Sequence, residues 1–285
     1  MRSDGFAFCV IGHCFRPLPV ENVKPLNRNE KCRLLIDAMS RSVVFASWGS
    51  LMALLSQREF RPELMDQIDI LRGDHVRALQ GLYRLNIVSG ASRQLWRQIA
   101  AFCGVLPGGR LRVLDVACGG GDVAISIWRL ARQQGIAVDI VGLDRSPTAC
   151  EQAFHRCRAA GSAIKLVCTD AIQSPLPSGF DVVMSSLFLH HLSRPDAVTL
   201  LARMGDAGRL LVVSDLRRSP VGYVVAHAAC RLVTRSPIVR YDGPQSVANA
   251  FSVSEAATLC DEAGLSGAIV RRAWPWRLMI TRQRE

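Results

Sequence analysis

Three observations predict an α/β fold whose mostly parallel sheet is covered by helices on both faces. Beyond residue 111 short apolar strands alternate with helical segments, the pattern of strands joined by helical crossovers. Acidic residues mark the ends of the first three strands, at Asp115, Asp144 and Asp170. A glycine-rich turn, Gly119-Gly120-Gly121, separates the first strand from a helix.

The elements follow in chain order. Pro17, Pro19 and Pro25 with Asn22, Asn27 and Asn29 break any periodic pattern near the start. Residues 1–60 are therefore expected to be a poorly ordered or helical N-terminal extension, its helix running from about Arg33 to Gln57. The run Val43 to Leu55 is apolar almost all round and specifies no face. A start of translation at Met52 or Met65 is an alternative reading of this segment. From Pro62 to about Val105 the spacing of Leu64, Ile68, Leu71, Leu79, Leu82, Leu85, Leu95, Ile99 and Phe102 predicts two or three amphipathic helices, a lead-in or lid over 61–109. Strands are then expected at Arg112–Ala117, Asp139–Leu143, Ile164–Cys168, Asp181–Ser185 and Leu210–Ser214. Val123 to Gln133 reads as the first crossover helix. A Ser252 N-cap with Glu255 three residues on predicts a helix from Val253 to Ala263, stopped by Gly264.

Composition narrows the class of function. The 285 residues carry 35 Lys and Arg against 24 Asp and Glu, a net +11. The positive charge is scattered as single arginines such as Arg93, Arg97, Arg129 and Arg156, with no basic stripe, which argues against a nucleic-acid partner. Ten cysteines lack paired metal spacing, as expected of small buried residues in a reducing, cytoplasmic setting. Cys9, His13 and Cys14 form a cluster without the four ligands at recurrent spacings that a structural zinc site wants, so no metal is expected. Phe6 to Phe15 is interrupted by His13 and is not read as an export signal.

The loop Asp115-Val116-Ala117-Cys118-Gly119-Gly120-Gly121-Asp122 permits backbone to approach a ligand closely. It does not fit the G-x-G-x-x-G spacing of dinucleotide folds, because Ala124 or Ser126 replaces the later glycine. Asp115 suits a ligand that carries an ammonium group and no phosphate. Asp144, 29 residues on, either accepts both hydroxyls of a ribose or caps a helix, a place that Ser146 before Pro147 fills better. Asp170 with Ala171 either reads an adenine edge or closes an Asx turn. All three carboxylates fall on the carboxyl edge of the sheet, where open α/β folds bind ligands.

Through VLDVACGGGDVA, VGLDRSP, CTDA and FDVVMSSLFLHHL, in that order, the sequence resembles the class I S-adenosylmethionine-dependent methyltransferases over roughly residues 80–283. It looks most like the small-molecule branch, which includes ubiquinone and menaquinone biosynthesis enzymes and enzymes of natural products. The resemblance implies a Rossmann-like, seven-stranded, mostly parallel sheet whose last strand is antiparallel, formed by residues 110–285. The final hairpin would pair Ala268–Ala273 with Arg277–Thr281, and an insertion at about 217–250 would cap the acceptor site. It implies that Asp115, Ala117, Gly119 and Gly121 line the methionine end of S-adenosyl-L-methionine. Asp144 would hold the ribose, Arg145 flank the adenine, Asp170 and Ala171 read its edge, and Ser186 and Leu187 sit beside the sulfonium.

The fourth strand runs into Leu189-His190-His191-Leu192 and lacks the Asn/Asp-Pro-Pro-aromatic run of many nucleic-acid and protein N-methyltransferases. One of the two histidines, with His190 preferred, can serve as a base toward a phenol or enol; the alternative is a packing pair. The apolar stretch Val221 to Val233 precedes Ser236-Pro237 and Tyr241-Asp242-Gly243-Pro244, and Tyr223, His227, Arg231 and Tyr241 are polar candidates to orient an acceptor. The expected function is transfer of a methyl group to O or C of a small aromatic or isoprenoid acceptor in a secondary-metabolic or quinone-like pathway. RNA or protein methylation, and a silent partner subunit of the same fold, are the alternatives. Val43–Leu55 and Val221–Val233 also allow peripheral membrane contact.

Overall fold

A computed structural model describes residues 48–66, 70–104 and 110–284. The cluster Cys9, His13, Cys14, the stretch Phe6 to Phe15, the proline and asparagine run and the beginning of the expected 33–57 helix lie outside the described residues. The described residues belong to one compact unit.

Seven strands form the sheet: β1 (Leu111–Val116), β2 (Val138–Asp144), β3 (Lys165–Cys168), β4 (Phe180–Ser186), β5 (Gly208–Leu216), β6 (Ile269–Ala273) and β7 (Arg277–Gln283). Their spatial order is β3-β2-β1-β4-β5-β7-β6. The first five pair in parallel, and β7 runs antiparallel to both β5 and β6. This is the Rossmann-like arrangement expected, with the order reversing between β1 and β4, and a crevice opens where such an order reverses.

Side chains alternate along each central strand, and both faces are apolar. Leu114, Val116, Val183, Leu211 and Val213 pack on one face against α6 (Arg194–Ala207) and α9 (Val253–Glu262). Val113, Val182, Met184, Leu210 and Val212 pack on the other against α3 (Ala91–Cys103) and α4 (Asp122–Gln133). Burial on both faces explains why these strands read as continuous apolar runs. The helix α5 (Pro147–Ala159) connects β2 to β3.

Serine sets the start of most helices after β2. Ser146, Ser193, Ser219, Ser236 and Ser252 each accept a hydrogen bond from a backbone N–H in the first turn. In the first four a proline stands at the helix start, where its missing donor costs nothing. Ser252 and Glu255 form the expected reciprocal capping box.

The carboxyl edge of the sheet is covered by α7 (Pro220–Val233) and α8 (Pro237–Asn249) with α1 (Trp48–Leu54) and α2 (Arg72–Ser89). Leu51 and Leu55 pack with Tyr223 and Val247, while Ala78 of α2 packs with Cys230 and Val239. The run Tyr241-Asp242-Gly243-Pro244 lies inside α8 despite its glycine and proline. Tertiary packing overrides propensity here: a side chain at Gly243 would collide with Cys230 Sγ, so glycine is what lets α7 and α8 cross. No helix among the described residues is long and apolar enough to cross a membrane.

Candidate active site

A cavity of about 900 Å³ opens at the carboxyl ends of β1, β2 and β4 and continues beneath the cap helices. Asp115, Ala117, Gly119, Asp144, Arg145, Asp170, Ala171, Ser186, Leu187, His190 and His191 all line it. Gly121 is not among the lining residues: it begins α4 at φ +75°, with Ala153 packed where a side chain would stand. Ala117, Leu187 and Trp276 are the non-glycine residues with positive φ among the described residues, and all three line the cavity. Backbone strain of this kind gathers where surrounding structure enforces a ligand-facing geometry.

At the β1 end, Asp115 is 1% exposed, and its Oδ2 has no hydrogen-bond partner among the described residues. Burial, with Asp122 and Asp144 nearby, pushes its carboxyl well above the usual range. Asp144 joins two loops, accepting from Gly119 N at 2.7 Å and from Ser146 N at 2.9 Å. Burial raises its pKa, and those two hydrogen bonds oppose the rise. Ser146, and not Asp144, caps α5. Asp170 Oδ1 accepts from Ile172 N at 2.7 Å and Gln173 N at 3.3 Å, so an Asx turn forms at this strand end. Arg145 reaches across the opening, and its Nη2 lies 3.3 Å from Asp66 Oδ1. Ser186 Oγ is buried without a partner among the described residues.

A polar corner occupies the other side of the cavity. The strand β4 leads into a 3-10 turn, Leu189–His191, which points both imidazoles toward a second 3-10 turn, Leu64–Asp66. His190 Nδ1 lies 2.6 Å from Asp215 Oδ1, and His191 Nδ1 lies 2.6 Å from Asp66 Oδ2. Glu63 faces both rings, 3.7 Å from His190 Nε2 and 3.8 Å from His191 Nδ1. Burial works against a charged His191, but Glu63 and Asp66 outweigh it and raise its pKa to about 9. Burial likewise acts to raise Asp66 and Asp215, and their histidine partners pull both below the usual carboxylate range. His190, preferred from the sequence, is the more enclosed ring at 3% exposed against 14% for the His191 side chain.

Asp242 of α8 accepts from Leu64 N and Met65 N and so anchors the 3-10 turn that carries Asp66. Burial, with Glu63 adding like charge, raises its pKa to about 7. The remaining walls are largely apolar, with Leu79, Leu82 and Leu85 from α2 facing Val225, Ala226 and Val247 from the cap. Tyr223, His227, Arg231 and Tyr241 do not line this cavity. Tyr223 instead packs with Leu51 and Leu55, because that face of α7 turns toward α1. Glu63, Asp66, Asp215, Asp242 and Ser246 were not anticipated as site residues. Only Asp215 carried a signal in the sequence, an acidic residue at the end of the fifth strand.

Residues 113–209 match the family described as "Methyltransferase domain". A ubiquinone biosynthesis O-methyltransferase from Albidiferax ferrireducens is 29% identical over 153 residues, covering 52% of this chain and 57% of that protein. The chain thus spans about half the length of the curated relatives it matches. Among solved structures, a candidate O-methyltransferase of Nostoc punctiforme superposes with a TM-score of 0.54 at 16% identity, covering 83% of this chain and 67% of that one. The S-adenosylmethionine-dependent methyltransferase SibL gives a TM-score of 0.54 at 18% identity, covering 90% and 75%.

Proposed function

We propose that this chain, which belongs to the class I S-adenosylmethionine-dependent methyltransferases, methylates an oxygen of a small aromatic or isoprenoid acceptor in a secondary-metabolic or quinone-like pathway. The observation that carries the reading is the single cavity that runs from the acidic ends of β1 and β2 to a compartment with apolar walls and one polar corner.

The cofactor of this class is S-adenosyl-L-methionine, and the residues present fit it. Asp115 offers a buried carboxylate oxygen with no partner among the described residues, which suits an ammonium group, and Ser186 offers a buried hydroxyl in the same state. Asp115, Ala117 and Gly119 would hold the methionine end, Asp144 the ribose, and Asp170 with Ala171 the adenine. Gly121 would support that end from outside the cavity by shaping the start of α4. When bound, the cofactor supplies a methyl group on a cationic sulfur, already activated for direct displacement.

The protein's own contribution is to align the acceptor and exclude water. The apolar walls from α2, α7 and α8 receive the body of the acceptor. His190 and His191 stand at the one corner where an acceptor oxygen meets polar groups, and they are the residues proposed to engage it. The largely apolar lining of this compartment supports a small acceptor over RNA or a protein segment. The similarity to the Albidiferax relative, an O-methyltransferase of ubiquinone biosynthesis, supports oxygen over carbon.

The test is calorimetric binding of S-adenosylmethionine to the whole chain, followed by transfer of labelled methyl to a panel of phenols and quinols. Gly119→Arg abolishes cofactor binding and Asp144→Ala weakens it; unchanged affinity in both overturns the site. Binding without transfer to any member of the panel favours the silent-subunit alternative. Trp48, Met52 and Leu54 of α1 and Val221, Val224 and Leu232 of α7 are exposed apolar residues, which supports peripheral contact with a bilayer that carries a greasy acceptor. Flotation with anionic liposomes reads that contact directly.

A further inference from the structure

Glu63, His190 and His191 come from two parts of the chain far apart in sequence, and their potential ligand atoms all lie within 4.8 Å of one another. Glu63 is 2% exposed and His190 3%. The separations of 3.7 Å from Glu63 Oε1 to His190 Nε2, and 3.8 Å from Glu63 Oε2 to His191 Nδ1, exceed a hydrogen bond. They approach the gap between two ligands that share a tetrahedral cation, about 3.4 Å for bonds of about 2.1 Å.

The surroundings point the same way. His190 Nδ1 is committed to Asp215, at 2.6 Å, which leaves Nε2 directed at Glu63. A carboxylate behind an imidazole is the arrangement that fixes the ring of a metal-ligating histidine. Ser246 donates to Glu63 Oε1 at 2.7 Å and orients the carboxylate. Asp66 lies 2.6 Å from His191 Nδ1, so to ligate a cation that nitrogen must lose its proton and exchange Asp66 for the cation, or Asp66 must join the shell as a second carboxylate.

We propose that Glu63, His190 and His191 form a divalent-cation site in the wall of the acceptor compartment. Three protein ligands with a further position open to the cavity describe a site that takes its last ligand from solvent or substrate. Two imidazoles and one carboxylate suit zinc, cobalt or a neighbouring transition ion better than magnesium or calcium. An acceptor hydroxyl or carbonyl oxygen would complete the shell, which narrows the acceptor to one with an oxygen exposed at its edge. The cation site rests on the cluster's geometry, and only its role toward an acceptor rests on the methyl-transfer reading.

The experiment uses the full chain, stripped with a chelator, dialysed and titrated with Zn²⁺ and with Co²⁺, which reports its coordination through visible absorption. The expected result is one equivalent bound, with loss of the cobalt spectrum in His190→Ala, His191→Ala and Glu63→Gln. Asp215→Asn weakens the site about 10- to 100-fold, as removal of an outer-shell carboxylate does. His155→Ala, which removes an exposed histidine on α5, leaves it unchanged. Cofactor affinity measured on the same samples shows whether each variant is folded. The absence of saturable binding in the parent protein overturns the proposal, as does a cobalt spectrum that survives in folded Glu63→Gln and His191→Ala. If cofactor binds and methyl is transferred without any cation, this inference alone falls. If cofactor does not bind at all, the proposed function falls instead, and the cation titration still stands or fails by itself.

Discussion

Asp215 Oδ1 lies 2.6 Å from His190 Nδ1, while Oδ2 of the same carboxylate accepts from Leu189 N at 2.6 Å. One buried side chain at the end of β5 therefore fixes both the ring of His190 and the backbone turn that carries it. Leu216 N donates to the same Oδ1 at 2.5 Å, so the group is satisfied without solvent.

Asp215→Asn should cost stability as well as turnover, because the amide presents a donor where four donors converge. Unsatisfied buried partners cost about 1–3 kcal/mol. Urea denaturation of the variant should show a lower midpoint and an unfolding free energy reduced by that amount, with a loss of turnover larger than any change in cofactor affinity. An unshifted midpoint would show that the network adds nothing to the fold.

Gly243→Ala places a methyl group against Cys230 Sγ at the crossing of α7 and α8. Overpacking of this kind costs about 1–3 kcal/mol. Gly243→Ala combined with Cys230→Ala should recover most of the loss, because the smaller partner makes room. Additive effects in a double-mutant cycle, measured by thermal denaturation, would exclude that contact as the cause.

Arg58 donates to three backbone carbonyls, those of Asn249, Leu192 and His190, at 2.5, 2.6 and 3.3 Å, and stacks over Phe251 at 3.9 Å. Arg58→Met keeps the packing and removes the donors, at an expected cost of about 1–3 kcal/mol. Arg58→Lys should restore less than half, since an ammonium cannot reproduce a planar fork aimed at several oxygens. Chemical denaturation of the two variants side by side gives the comparison.

Stability in acid should depend on Glu255. Burial acts to raise its pKa, but bonds from Arg218 and Ser252 prevail and hold it below the usual 4.5. The fold favours the ionised form, so this contribution is complete above about pH 4.5 and disappears as pH falls through the lower, folded value. Denaturation midpoints measured through that range should fall less steeply in Glu255→Gln than in the parent. Parallel profiles would mean that the Arg218–Glu255 pair is not linked to folding.

Much of the sheet was legible because its signals are local. Alternating strands, an acidic residue at each early strand end and Ser-Pro helix starts each need only a few neighbouring residues to be recognised. Ser252 and Glu255 announced their capping box for that reason. The helix through Gly243-Pro244 was not legible, because its justification is the approach of Cys230 from another helix. The polar corner was half legible. The adjacent histidines are conspicuous, but Glu63 and Asp66 meet them across more than a hundred residues of chain, at a distance that no periodicity encodes.

The separation of 125 residues between Asp66 and His191 has an architectural consequence. Everything from α2 to β4, including the first three strand ends, is spliced between the two halves of one polar corner. The module that carries the strand ends proposed to hold the cofactor is thus enclosed between the two halves of the corner, and through α2 it also walls the compartment proposed for the acceptor. Loop-closure entropy grows only with the logarithm of the intervening length, so that module can gain or lose surface residues at little cost to the corner.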